Sequence, residues 1–454
     1  MDLHTPPPHE VFGKNTRLAL ENFDVTTEPM PAALLRALVA VKRCAAPANA
    51  ARADATHVSP EIAAAIVAVC EELEKDLPLA LFPVSVFQTG SGTSTNMNVN
   101  EVVATLATRR AGVEVHPNDH VNASQSTNDV FPSALRIAAL TLLDGELVPS
   151  LQRLASALRE RSVAFADVVK AGRTHHMDAT PITLGQEFGG YAAQVEEAVE
   201  RLQSCRERVG RLPLGGTAVG TGINAPAGFA ADTIAALADG TGLPLREAPD
   251  HFAVQAGQDS IVELSGHVRT AAVALFKIAG DIRLLASGPR AGIAELRLPE
   301  LQPGSSIMPG KVNPVLCEVV TQVAVQVMGN DTAVALAGSQ GQFELNAYLP
   351  LLARNLLESI TLLGRAARSF ADRCVASIEA DEERCRAYAE STPALATALN
   401  TAIGYDAATS IVREAQATGR RIIDVARDRG VLDDEQLARL LDPLAMAHAR
   451  PADG

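Results

Sequence analysis

The sequence predicts an all-α chain, with a long central helical bundle between smaller N- and C-terminal domains. Three observations point that way. Alanine, leucine and valine dominate a composition that is 47% hydrophobic yet 4% aromatic, with no tryptophan. That set suits closely packed helices better than sandwich strands, which favour aromatic and β-branched residues. Apolar residues recur at helical spacing in several long runs. No strand–helix–strand unit surrounds the GSG of residues 90–92. At 454 residues and 47.6 kDa the chain is too long for one small core. Its expected divisions are residues 1–125, 126–384 and 385–454.

In chain order, residues 1 to about 30 are proline-rich and read as irregular. Helices are expected over 31–41 and 60–77, opening on Pro31 and Pro60, because proline is well suited to a first helical position. The stretch 87–110, FQTGSGTSTNMNVNEVVATLATRR, begins polar and ends as helix. Its GSG is no dinucleotide fingerprint, since Thr95 stands where the third glycine belongs. The cluster HPNDHVNASQSTND (116–129) leads into a helix expected to begin near Phe131. Ser126, Thr127, Asn128 and Asp129 are all capping types, and such a helix end attracts carboxylates through its free N–H groups and dipole. Helix is expected over 135–168 and 191–212, separated by GRTHHMDATPITLGQE (172–187). The glycines of 214–222 do not form a phosphate loop, because Thr221 stands where the lysine would be. Helical patterns fill 262–285, 315–328 and 349–376. Residues 319–327 are apolar on nearly every side, as in a helix surrounded by others. The final seventy or so residues are more charged, and a small domain is expected there.

Between two helical runs lies GSSIMPGKVNP (304–314), with two glycines, two prolines, adjacent serines, a lysine and an asparagine. It cannot be helix interior, and composition allows either a mobile connection or a binding loop. The net charge of −14 argues against nucleic acid or anionic membrane as partner. Six scattered cysteines without metal spacing read as reduced thiols in a cytoplasmic protein. The N-terminus lacks the basic-then-apolar order of a signal peptide, and no run of eighteen apolar residues suggests a membrane span.

Taken together, GSGTSTNMNVNE, HPNDHVNASQSTND, GRTHHMDATPITLGQE and GSSIMPGKVNP resemble the signatures of the fumarase/aspartase superfamily over nearly the whole chain. The resemblance implies a helical-bundle homotetramer in which each active site draws on three subunits. It implies a small dicarboxylate substrate and no metal or cofactor. The family chemistry removes a weakly acidic proton beside a carboxylate, and the dianionic carboxylate that develops needs preorganised donors and positive charge.

Matched residue by residue, Ser305 corresponds to the base, on a loop that would close over substrate. His175 corresponds to the acid-side group, oriented by Glu318, while Lys311 and Asn313 correspond to groups holding a substrate carboxylate. Ser91, Thr93, Ser126, Thr127, Asn128, Thr174 and Ser306 correspond to substrate-binding positions. For Ser126 and Thr127, helix capping is a compatible second role. His116, Asn118 and Asp119 match a second, entrance site for a dicarboxylate, with a capped turn as the plainer alternative. Glu344 and Asn346 are supporting matches. His176, where the family usually has leucine, is expected to pack or face solvent.

HPND, the glycine of MPGKVNP, Cys317–Glu318 and FELN favour class II-type hydration of fumarate to L-malate. Ser94, Thr127 and the DHVN wording lean toward aspartate ammonia-lyase. An inactive lyase scaffold is the third possibility, and the intact Ser305, Lys311, Asn313 and His175 count against it. The hydratase implies a cytoplasmic place in the tricarboxylic acid cycle.

Overall fold

A computed structural model describes residues 10–448 and divides the chain into two compact units. Unit 1 comprises residues 1–149, 198–272 and 323–365, and unit 2 the remainder. The framework of both is helical, and among the described residues the paired strands form two-stranded ribbons.

In unit 1, helices Ala32–Ala50, Pro60–Lys75, Thr93–Ala111 and Thr127–Leu142 pack on one another. Leu34, Leu38, Val41, Ile66, Val102 and Leu135 are wholly buried among them. Full burial of such a side chain stabilises by about 1.5–3 kcal/mol, which is why the apolar stripe, rather than propensity, decides these helices. Pro60 begins its helix as expected, with the Ser59 hydroxyl accepting the Ile62 N–H at 3.2 Å. The helix expected over 31–41 continues to Ala50, straight through Pro47. The N-terminal stretch is not wholly irregular. Lys14–Asn22 is helical, because Glu101 supplies its missing cap from far along the chain; residues 1–9 of that stretch lie outside the described residues. The Glu101 carboxylate accepts from Gly13 N, both nitrogens of Asn15, and the N and Oγ1 of Thr16, at 2.6–3.1 Å.

Two expected boundaries shift. The helix placed near Phe131 starts at Thr127, since Ser126 and Asp129 close a capping box. The run 135–168 is helix to Leu142, a π turn over Leu143–Leu147, and helix again over Val148–Ala164.

In unit 2 the cluster that separates the two expected helices forms an antiparallel hairpin, Val169–Thr174 paired with Met177–Thr183. Helix Leu184–Ser204 follows directly, so helix begins before residue 191. It also stops earlier than expected. Arg211–Leu212 is a short strand of unit 1, parallel to Arg246–Glu247. The C-terminal segment has its own small core of Leu395, Leu399, Ile411, Val425 and Leu437.

Helices Asp259–Leu285, Val315–Gly338 and Leu349–Arg373 each contribute to both units. Residues 319–327 are not surrounded within one chain: Val319 is 43% and Val325 59% exposed. The apolar pattern there exceeds what this chain alone can cover. All six cysteines are free and buried. Among the described residues, no helix is long and apolar enough to cross a membrane.

Candidate active site

The expected site residues fall into two groups, one in each unit. In unit 1 they gather at two helix N-termini. Gly92 precedes helix Thr93–Ala111 with φ +81°, and a Cβ there would lie 2.2 Å from the Phe131 ring, so glycine is required. This turn brings the Ser91 and Thr93 hydroxyls within 2.8 Å of one another. At the Thr127 helix, Ser126 Oγ accepts the Asn128 N–H at 3.2 Å, and the Ser126 N–H donates to Asp129 Oδ1 at 3.0 Å. Asn128 Nδ2 donates to Ala218 O at 2.8 Å. A cavity of about 700 Å³ opens here, lined by Thr93, Ser126, Thr127, Asn128, Asn118 and Asp119 together with neighbouring residues. It reaches Thr93, at a helix end without a side-chain cap, and is lined by hydroxyl and amide groups, the chemistry of a carboxylate site.

His116 is used differently. Its Nδ1 accepts the Asp119 N–H at 3.1 Å and caps the π turn Pro117–Val121, while its own N–H donates to His120 Nδ1 at 2.9 Å. The capped-turn role is thus present, and Asn118 and Asp119 line the same cavity as Thr93 and Thr127.

Beneath the cavity are two buried charges: Asp129, which the sequence marks only as a capping type, and Lys42, which the motifs do not single out. Asp129 Oδ2 accepts the N–H groups of Gly215 (3.0 Å) and Thr217 (2.9 Å), tying the glycine-rich loop to the Thr127 helix. Burial pushes this carboxyl up to about 6, against the opposing pull of its backbone donors and of Lys42. Lys42, with no exposed surface, donates to Asn122 Oδ1 and Gln125 Oε1, both at 2.9 Å. Burial pushes its ammonium down to about 7, countered by Asp129 and Cys70. A signal existed in the sequence: Leu35, Leu38, Lys42, Ala45 and Asn49 follow helical spacing, which puts a lysine on the buried stripe. Such a charge requires partners.

In unit 2, Thr174 and the two histidines form the tip of the hairpin. His175 (φ 57°) and His176 (φ 60°) are both left-handed, as a two-residue turn between Thr174 and Met177 demands, and both are exposed. Non-glycine residues resist this conformation, so the strands must hold it. They are anchored by Arg173, which forms a bidentate pair with the fully buried Glu295 at 2.8 and 2.9 Å. Lys170 Nζ lies 3.0 Å from Glu187 and 3.3 Å from Glu295. No hydrogen bond joins His175 to Glu318 among the described residues.

Loop 304–314 is closed on itself. The Gly304 N–H donates to Lys311 O (2.8 Å), and Asn313 Nδ2 donates to Gly304 O (2.7 Å). Ser305 Oγ accepts the N–H groups of Ile307 (3.2 Å) and Met308 (3.0 Å), so two fixed dipoles favour negative charge on that oxygen. Ser306 and Lys311 are exposed, and Glu318 lies in the first turn of helix Val315–Gly338. Asn346 is buried, its Nδ2 donating to Ala337 O at 3.0 Å, a packing role. Glu344 is exposed.

Comparison with known proteins places this geometry in a family. A lyase family profile matches residues 5–329, and a fumarase C C-terminal profile matches residues 395–448. The class II fumarate hydratase of Corynebacterium glutamicum is 49% identical over 97% of this chain and 94% of that protein. That of Mycobacterium tuberculosis is 49% identical over 98% and 94%. The crystal structure of class II fumarase from Schistosoma mansoni superposes with a TM-score of 0.94 at 37% identity, covering 97% of this chain and 96% of that one. Profiles, relatives and fold agree, and the chain belongs to the fumarase/aspartase superfamily of lyases, within the class II fumarase family.

Proposed function

We propose that this protein interconverts fumarate and L-malate by general acid and base chemistry, without metal or cofactor. The observation that carries the proposal is 49% identity over 97% of the chain to a class II fumarate hydratase. The relatives' names favour hydration over the deamination that Ser94 and Thr127 suggested.

From L-malate to fumarate, Ser305 as alkoxide takes the proton from the carbon beside one carboxylate, and the C–O bond of the neighbouring carbon breaks. His175 protonates the departing hydroxyl, so water leaves and the electron pair of the C–H bond becomes the new double bond. The donors on Ser305 Oγ support this assignment, since an unassisted serine is a poor base. Lys311 and Asn313 meet the charge that grows on the carboxylate, with Thr174 and Ser306 beside them. Ser91, Thr93, Ser126, Thr127 and Asn128 hold the other carboxylate. Glu318 orients His175. Asn118 and Asp119, with His116, form an entrance site for a second dicarboxylate.

The protein works as a homotetramer whose active sites each draw on three subunits. Val319, Val325 and Leu336, 43%, 59% and 65% exposed in a single chain, support association through the long helices. The bundle's proposed limits remain 126–384, between an N-terminal domain ending at 125 and a C-terminal one from 385. The proposed setting is cytoplasmic, in the tricarboxylic acid cycle.

The test is to supply L-malate and L-aspartate separately and follow fumarate by its absorbance. Malate should yield fumarate and aspartate should not. Fumarate from aspartate alone would favour the ammonia-lyase, and none from either would favour an inactive scaffold.

A further inference from the structure

A chain of polar side chains runs from the buried Lys42 through Asn122, which itself lines the unit 1 cavity, and Asn96 to Thr127, and its direction is set at its buried end. We propose that Lys42, Asn122 and Asn96 are positioning residues that fix the Thr127 hydroxyl with its proton toward the cavity, ready to donate to a substrate carboxylate.

The argument follows donor and acceptor capacity. An ammonium can only donate, so the Asn122 atom 2.9 Å from Lys42 Nζ is the carbonyl oxygen. The other end of that amide agrees, since Asn122 Nδ2 lies 3.2 Å from the backbone oxygen of Gln125, which can only accept. Asn122 Oδ1 also receives Asn96 Nδ2 at 3.1 Å, which fixes the orientation of the Asn96 amide. The same nitrogen lies 2.9 Å from Thr127 Oγ1, so there the threonine oxygen accepts. Its own proton must point elsewhere, and Thr127 lines the cavity.

A second observation supports this direction. Asn96 Oδ1 is buried without a hydrogen-bond partner among the described residues, as is the Oδ1 of Asn100, whose Nδ2 also donates to Asn122 Oδ1 at 3.2 Å. Reversing the Asn96 amide would offer its oxygen a partner in the Thr127 hydroxyl. The chain keeps the costly orientation, and the benefit falls on the hydroxyl that faces the cavity. Lys42 is the charged donor on Asn122, and it also holds Gln125.

The inference rests on the assignment of Thr127 to substrate binding, and the test separates the two. Wild type, Asn96→Leu, Lys42→Met and Thr127→Val are compared with L-malate at mildly acidic pH, with each upstream change also combined with Thr127→Val. Each upstream change should raise KM by roughly tenfold or more with kcat little altered, as for loss of a contact present in ground and transition states alike. In the Thr127→Val background neither should raise KM further, because they act through that hydroxyl. Either upstream variant suffices if the other does not fold. A KM unchanged in a folded upstream variant, or losses that multiply with that of Thr127→Val, would overturn the inference. A wild type unable to turn over malate removes the hydratase reading and this inference with it. An active wild type whose Thr127→Val variant keeps its KM removes the assignment of Thr127 alone.

Discussion

Replacing Asp129 by alanine removes the acceptor that joins the glycine-rich loop to the Thr127 helix. The N–H groups of Gly215 and Thr217 lie 3.0 and 2.9 Å from Oδ2, and both bonds are buried. Left without a partner, each costs about 1–3 kcal/mol. Loss of the bond from the Ser126 N–H to Oδ1 costs about 1 kcal/mol more. Against this, the variant no longer holds a charge in a buried place. The lift of the carboxyl from 3.8 to about 6 corresponds to roughly 3 kcal/mol. The net expectation at neutral pH is a loss of about 2 kcal/mol, read as a lower urea midpoint by circular dichroism. Asp129→Asn should lose less, because one amide oxygen can still face Gly215 and Thr217. The pH dependence has a definite sign. Asp129 binds its proton more tightly when folded, so its contribution to stability falls as pH rises from 3.8 to about 6. The gap between wild type and Asp129→Ala should therefore be wider near the acid end of that window than at neutrality. An alanine variant as stable as wild type at both ends would refute the reasoning.

Lys311→Met should abolish turnover while leaving the unfolding free energy within about 0.5 kcal/mol of wild type, because Lys311 is exposed. Near-normal activity would remove Lys311 from the chemistry. Gly92→Ala should destabilise by more than about 2 kcal/mol, combining a left-handed φ of +81° with a collision against Phe131; calorimetry would show it. Lys42, faced by Asp129 and Cys70, titrates near 7 when folded and near the ordinary 10.5 when unfolded, so the unfolded chain holds the extra proton between those values. Stability should rise with pH across that window by up to about 1.4 kcal/mol per unit from this group, and Lys42→Met should lose that rise in paired urea titrations.

Much of this was legible because it is local. Pro60 behind Ser59 marks a helix start that the structure keeps, and the four polar clusters carry the family resemblance. The start at Thr127 was placed late, because Ser126 and Asp129 form a capping box with aspartate instead of the commoner glutamate. The hairpin over Val169–Thr183 was not foreseen, since glycine, proline and paired histidines obscure any alternation, and its hold comes from Glu295 more than a hundred residues away. Asp129 was recognised as a capping type, but its second oxygen serves a loop 86 residues later. Lys42 sits in an apolar run whose spacing showed where it points but not what would receive it. Residues 319–327 misled for the opposite reason, because their pattern describes more packing than one chain supplies.

The carboxylate of Glu101 has a practical consequence. It draws five donors from a segment more than eighty positions earlier, and it stands on the helix that opens with Thr93. Clipping the chain after residue 16, or straining that stretch with a bulky fusion, would strip this acid of its neighbours two turns from the cavity-lining Thr93. Purification tags are therefore better placed at the other end of the polypeptide.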